Sequence, residues 1–350
     1  MIDCRKRLGP VAAALCLVLG LAGVARVARA GSISGSVLGM LPKDVGEVGY
    51  ADLKTARQAS WFAQFEGQVL PTRFSHFERF LTSAGLDANK QVDEVVWAVA
   101  SPSSQPSSDA AASSASDAAA RLQKFGGEQV VGIALGNFSP DVADQFFKKQ
   151  KLPTVTVRGY TLYAYGSGVS PGDLFFFFLD SNTVAFGHRE LLETMIDVHF
   201  GDEESFQSNE TLYSLVNEVN GQGTLWAALD KKYAQLSIGR LMPEAAQFPG
   251  AADLLARVKS MTITVQMDTG LDAQVTPQCA SSGDAITLAQ LLQAGLLYKR
   301  YQVATNDPDV ARAIDATSVS ADGDHLKIHT QLSDDLLQTL LQRNAFALQM

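Results

Sequence analysis

The feature that most constrains this chain is an order of elements that runs through it twice. Hydrophobic periodicity predicts a strand at 48–53, a helix at 74–84, strands at 92–100 and 129–135, a helix at 140–150, strands at 154–165 and 174–186, and a helix at 189–198. The second pass predicts a strand at 224–229, a helix at 251–257, strands at 258–267 and 271–277, a helix at 284–297, strands at 316–321 and 325–332, and a helix at 334–342. Both passes read β-α-β-β-α-β-β-α. The expected fold class is therefore α+β: two tandem related β-α-β-β-α-β-β-α units, each a mainly antiparallel sheet with helices on one face.

Short matches accompany this order. Tyr50-Ala51-Asp52-Leu53-Lys54 faces Trp226-Ala227-Ala228-Leu229-Asp230-Lys231, and Val92-Asp93-Glu94-Val95 faces Val258-Lys259-Ser260-Met261. Asn137-Phe138-Ser139-Pro140-Asp141 faces Ala280-Ser281-Ser282-Gly283-Asp284. The offset falls from 166 at Val92/Val258 to 143 at Asp141/Asp284, a difference close to the length of the Ser/Ala/Pro-rich segment 101–126. That segment is too poor in apolar side chains to offset its ordering entropy and reads as a mobile loop. Its counterpart is the tight Asp268-Thr269-Gly270 turn.

Helix signals are local and strong. Phe74, Phe77, Phe80, Leu81 and Ala84 recur at helical spacing before Gly85. Ser139-Pro140-Asp141 combines a cap, a first-turn proline and an acid at the positive end of the dipole. Val142, Phe146 and Phe147 form the expected buried stripe, closed by Lys148, Lys149 and Lys151. Leu191, Leu192, Met195 and Ile196 repeat the spacing, as do Leu212, Leu215, Val216 and Val219. Ser333-Asp334-Asp335 opens a helix carrying Leu336, Leu337, Leu340 and Leu341. Phe175 to Phe178 is an unbroken phenylalanine run, which predicts a strand covered on both faces.

The first thirty residues read as a secretory signal. Arg5, Lys6 and Arg7 precede the uncharged stretch Val11 to Val24, and Ala28-Arg29-Ala30 offers a cleavage site before Gly31. The apolar stretch is short of the ~20 residues that span a bilayer. Leu15, just before Cys16, is too bulky for a lipid-attachment site. Cleavage leaves Cys279 as the single thiol, which excludes an intrachain disulfide. The apolar run Ala285 to Tyr298 reads as a buried helix.

The expected organisation is a signal peptide at 1–30, an N-terminal linker at 31–43, a first α+β unit at 44–200, a connection at 201–210, a second unit at 211–343 and a tail at 344–350. The whole chain carries −9; without the first thirty residues it has 23 basic against 36 acidic side chains, or −13. That balance argues against nucleic acid, whose phosphates require a basic footprint.

The opening Leu41-Pro42-Lys43-Asp44, followed by a 48–53 strand ending in Asp-Leu, resembles a loose group of uncharacterised exported bacterial proteins with duplicated α+β units. The resemblance covers the architecture and this motif, and it implies no catalytic residues.

Chemistry-bearing residues are sparse. Asp322, Asp324, His325 and His329 cluster, but strand alternation places Lys327 between the two histidines, where it repels a cation. His188 and His199 flank one helix about 16 Å apart. Gly166-Ser167-Gly168, followed by Val-Ser-Pro-Gly, falls between two strands and reads as a hairpin turn. Glu203-Glu204 and Asp334-Asp335 read as linker and helix-start charge. The expectation is an exported protein without catalytic residues, metal or cofactor, binding a protein or envelope component, with the membrane met only through an uncleaved signal. The alternatives are a periplasmic hydrolase built from dispersed acidic and histidine residues, and a carrier of an apolar ligand such as a lipid.

Overall fold

The computed structural model describes residues 31–69, 79, 81–82, 86–100, 129–170, 172–241, 251–267 and 270–344. The signal peptide at 1–30, Phe74, Phe77 and Phe80, the segment 101–126, Asp268-Thr269 and the tail beyond 344 lie outside these residues.

The protein is α+β. In chain order come strand β1 (Glu47–Asp52), helix α1 (Phe62–Val69), β2 (Val92–Ala100), β3 (Gln129–Gly136), α2 (Pro140–Gln150), β4 (Thr154–Val157), β5 (Tyr160–Tyr165), β6 (Leu174–Phe178), β7 (Thr183–His188), α3 (Arg189–Phe200) and α4 (Glu210–Val219). Then follow β8 (Leu225–Leu229), α5 (Lys231–Leu241), β9 (Val258–Gln266), β10 (Gly270–Cys279), α6 (Ser282–Val303), α7 (Pro308–Asp315), β11 (Thr317–Asp322), β12 (His325–Ser333) and α8 (Asp334–Gln342). Two spans expected as single strands are hairpins. At Arg158-Gly159 both φ angles are positive, +47° and +91°, and the chain reverses there. Around Asp180-Ser181-Asn182 the Asn182 amide donates to Asp180 Oδ1 at 2.6 Å, an Asx turn between β6 and β7.

The chain divides into two compact units. One comprises Ile33–Tyr50 with Pro71–Ser214, the other Ala51–Leu70 with Leu215–Met350. This differs from a cut at 201–210, because the stretch from the last two residues of β1 onward, Ala51–Leu70, belongs with the C-terminal residues. Trp61 Nε1 donates to Asp334 Oδ1 at 3.1 Å and Gln68 Nε2 to the Leu341 carbonyl at 2.7 Å. The expected linker and connection are likewise packed segments. Ile33, Leu38, Leu41 and Phe206 are buried, the Phe206 amide donates to the Leu41 carbonyl, and Lys43 Nζ meets Glu204 Oε2 at 2.6 Å.

In the N-terminal unit the strand order is β1-β2-β3-β7-β6-β5-β4. Antiparallel register aligns Trp97, Gly132, Phe186, Phe176 and Tyr163 in one row, so these residues share a face. A Cβ on Gly132 would stand 2.4 Å from the Phe186 ring, which occupies that space. Phe147 of α2 packs on the same face, with ring centroids 5.0 Å from Tyr163 and 5.1 Å from Phe176. The opposite face carries Phe177, 5.1 Å from Tyr160, which in turn meets Phe200 of α3 at 6.5 Å. Helices α2 and α3 therefore cover opposite faces, and helices on one face is corrected for this unit. The cause is the phenylalanine run itself: with apolar side chains on both sides, neither face can be left to water. The α2 stripe is also shifted, since Ala143 and Phe147 are buried, Phe146 is half-buried and Val142 is 58% exposed.

In the C-terminal unit the order is β11-β12-β10-β9-β8. Strands β10, β12 and β11 alternate strictly. Leu271, Ala273 and Val275 pair with Leu332, Thr330 and Ile328 on the face that packs against α6 and α8. The other face holds Asp272, Gln274, Thr276, His325, Lys327 and His329, none of them buried. Here one face is open, as alternation predicts. The two orders coincide strand for strand, β1-β2-β3-β7-β6 against β8-β9-β10-β12-β11, with hairpin β4-β5 additional in the N-terminal unit. After β1 and after β8 the chain enters a helical turn under an aspartate cap. Asp52 Oδ1 accepts from the Thr55 amide and Asp230 Oδ1 from the Tyr233 amide, each at 2.8 Å. This geometry makes Asp52 the counterpart of Asp230.

Candidate functional site

The open face of β10, β12 and β11 is the candidate binding surface. Register sets Gln274 beside His329 and Gln278 beside His325, with Ser318, Ser320 and Asp322 on the far side of β12. His325, Lys327 and His329 share this face, in the order alternation predicts. Each histidine is engaged by its own carboxylate: His329 Nε2 lies 2.8 Å from Asp272 Oδ1, and His325 Nδ1 lies 2.9 Å from Asp324 Oδ1. Between them Lys327 Nζ donates to Asp322 Oδ2 at 2.6 Å. Four strand residues separate the histidines by about 13 Å, too far for one ion. Among the described residues no three His, Cys, Asp or Glu side chains converge as a metal site.

The electrostatics of this face are those of satisfied pairs. The Lys327 hydrogen bond holds Asp322 below the usual carboxylate range. Asp324 is lowered first by the Gln278 amide, which donates at 3.2 Å, and then by His325. Such groups stay ionised near neutrality, which suits recognition and does not supply a proton donor. Asp230 is pushed upward, by burial, and its chemistry is that of the helix cap described above.

This shift makes a pH-dependent prediction. A carboxyl whose folded pKa exceeds its unfolded value costs stability once ionised, so the cost appears as pH rises above about 3.8. Asparagine keeps the cap without the charge. Asp230→Asn is therefore expected to be more stable than wild type at neutral pH, with no advantage at pH well below the unfolded pKa. Asp230→Ala should lose the cap, at about 1 kcal/mol. Urea melts at both pH values check this; an asparagine variant weaker than wild type at neutral pH would refute it.

The other sequence candidates are dispersed. His188 is buried at the start of α3, its Nδ1 accepting from the Val130 amide at 2.9 Å. His199 is exposed at the far end of that helix, its ring 5.6 Å from Phe200. Cys279 is buried, and burial first, then Asp284 and Asp324, push its thiol up to about 11, which leaves it protonated. Asp334 accepts from Trp61, and Glu204 pairs with Lys43.

Gly168-Val169-Ser170-Pro171-Gly172 has the spacing of a nucleophile elbow. The segment joins β5 to β6 rather than a strand to a helix, and the Ser170 amide donates to Asp173 Oδ2 at 3.0 Å as part of the turn. Sequence reasoning missed Asp272, Gln274 and Gln278 as parts of the open face. The alternation of Asp272-Ala273-Gln274-Val275-Thr276 carries that signal.

No family model matches the chain, and no curated protein matches it. Among solved structures, crystal form I of TP0453 aligns with a TM-score of 0.46 and 11% identity, covering 89% of this chain and 99% of that one. Crystal form III of TP0453 aligns with a TM-score of 0.46 and 10% identity, covering 88% and 99%.

Proposed function

We propose that the protein is an exported, non-catalytic binding or scaffold protein of the cell envelope, and that it binds through the open face of β10, β12 and β11. The observation that carries this reading is a sheet face that no helix among the described residues covers, lined by glutamine, threonine, serine and paired charges. Such a face offers hydrogen-bond donors and acceptors in a fixed array, suited to a polar protein or envelope component. The matching strand orders and aspartate caps support a duplicated unit in which one copy closed both faces with phenylalanine and the other kept one open.

The test joins export and binding. N-terminal sequencing of exported material should begin at Gly31; a retained Met1 in the membrane fraction would overturn the export reading. Gln274→Arg with Gln331→Arg, the latter an exposed position of the same face paired with Asp272, should abolish co-sedimentation with isolated envelope material while the melting temperature holds. His325→Gln with His329→Gln should change stability by no more than about 1 kcal/mol, because half-exposed pairs contribute little. A hydrolytic activity lost in that histidine variant would replace this reading with the hydrolase.

A further inference from the structure

Helix α6 presents solvent with a face that no ordinary exposed helix shows. Ile286, Gln290, Ala294, Leu297, Tyr298 and Tyr301 follow one another along its outer side, all exposed. Ile286 is 49% accessible, Leu297 68%, Tyr298 66% and Tyr301 83%. The charges of the helix lie elsewhere: Asp284 is buried against Arg257 at 2.9 Å, and Arg300 is held by Asp315. This corrects the expectation of a buried helix, since only the first two turns supply buried side chains. A solvent-facing stripe is normally polar and charged. Loss of charge together with surplus tyrosine marks the centre of an interface.

We propose that this face is the contact between two copies of the chain, with their α6 helices packed antiparallel about a twofold axis level with Leu292. In that arrangement Tyr301 lies opposite Gly283 and Leu297 opposite Thr287, so that large side chains meet small ones, while Tyr298 meets the apolar Ile286 and Ala294 lies opposite Gln290. The pairing is self-complementary, as a twofold contact requires. The four large side chains expose roughly 600 Å² per copy, at the upper limit for a monomer's largest apolar patch. Two such patches together reach about 1,200 Å², the lower limit for a stable interface. The two Lys299 positions, fourteen residues apart along the pair, are separated by roughly 21 Å. At physiological salt that is more than two screening lengths of about 8 Å. A lipid surface is the poorer occupant, because the body of the protein carries −13 and anionic headgroups repel it. The contact lies on the helix side of the sheet and does not depend on what the open face binds.

Sedimentation velocity of the full-length chain over a concentration series tests this. A reversible dimer is expected, weakened at least about 100-fold by Leu297→Glu with Tyr301→Glu, since each substitution removes a large apolar anchor and puts a charge into the contact. Both positions are exposed, so an unchanged melting temperature confirms that the variant folds. Ile286→Cys with Tyr298→Cys should oxidise to a covalent dimer. Within one helix those positions are about 18 Å apart and cannot bridge. A chain that stays monomeric, a dimer indifferent to the glutamates, or flotation with phospholipid vesicles that the glutamates abolish would each overturn the proposal.

Discussion

Replacing Phe176 with alanine is expected to destabilise the N-terminal unit by about 3–5 kcal/mol. The ring is 1% exposed, at the centre of a row that runs from Phe186 to Tyr163, and Phe147 closes over it from α2 with centroids 5.1 Å apart. Removing it strips contacts from three aromatic neighbours at once and leaves a void that a rigid sheet cannot collapse around. Phe146→Ala is the internal comparison. That ring is half-buried on the neighbouring position of α2, and its loss should cost about 1 kcal/mol, in line with partial burial. Equal losses for the two variants, measured by urea denaturation, would mean that the assignment of faces is wrong.

A second large effect is expected at Gly187. Its φ is +148°, and a Cβ there would stand 2.3 Å from the Val130 carbonyl oxygen and 2.7 Å from Val131 Cα. Both obstacles are backbone of β3, the strand to which β7 is bonded, so no side-chain adjustment relieves them. Gly187→Ala must part the two strands or flip the backbone. Either movement endangers the neighbouring hydrogen bond from the Val130 amide to His188 Nδ1, at 2.9 Å. Backbone strain of about 1–3 kcal/mol and a lost buried hydrogen bond together set an expected cost of about 3–4 kcal/mol. Gly67→Ala should act in the opposite direction. Gly67 lies within α1 with nothing within 4 Å of its added Cβ, so alanine should stabilise by about 0.5–1 kcal/mol. Thermal melts of the two variants decide this by the sign of the shift alone.

Much of the fold was legible because its signals are local. Ser139-Pro140-Asp141 opens α2 at the expected residue, with the Ser139 side chain making no capping hydrogen bond, and Ser333 caps α8 by accepting from the Leu336 amide. A side chain that caps a helix does so within three residues, so the sequence contains all that the interaction needs. The same applies to α7, whose Asp307-Pro308-Asp309 start repeats the α2 pattern, with Asp307 accepting from the Val310 amide. In the candidate site, the placement of His325, Lys327 and His329 on one face followed from alternation alone. The carboxylate partner of His329 did not, because Asp272 reaches it from another strand, 57 positions away.

Two elements show where local reasoning ends. The segments 154–165 and 174–186 have strand composition throughout, and composition does not say whether a chain continues or turns back on itself. The reversals at Arg158-Gly159 and at 179–182 set β5 and β7 on the two edges of the phenylalanine strand β6, and that pairing selects the hairpins. Residues 51–70, which begin at the end of β1, belong with the C-terminal unit, through Trp61 and Gln68. Helix type, caps and strand alternation are short-range properties, each decided by a few neighbouring side chains, and the amino-acid order was sufficient for them. Which strands pair, which carboxylate reaches His329, and whether the apolar length of α6 is buried or presented to solvent depend on contacts between distant residues. Only the folded chain brings those residues together.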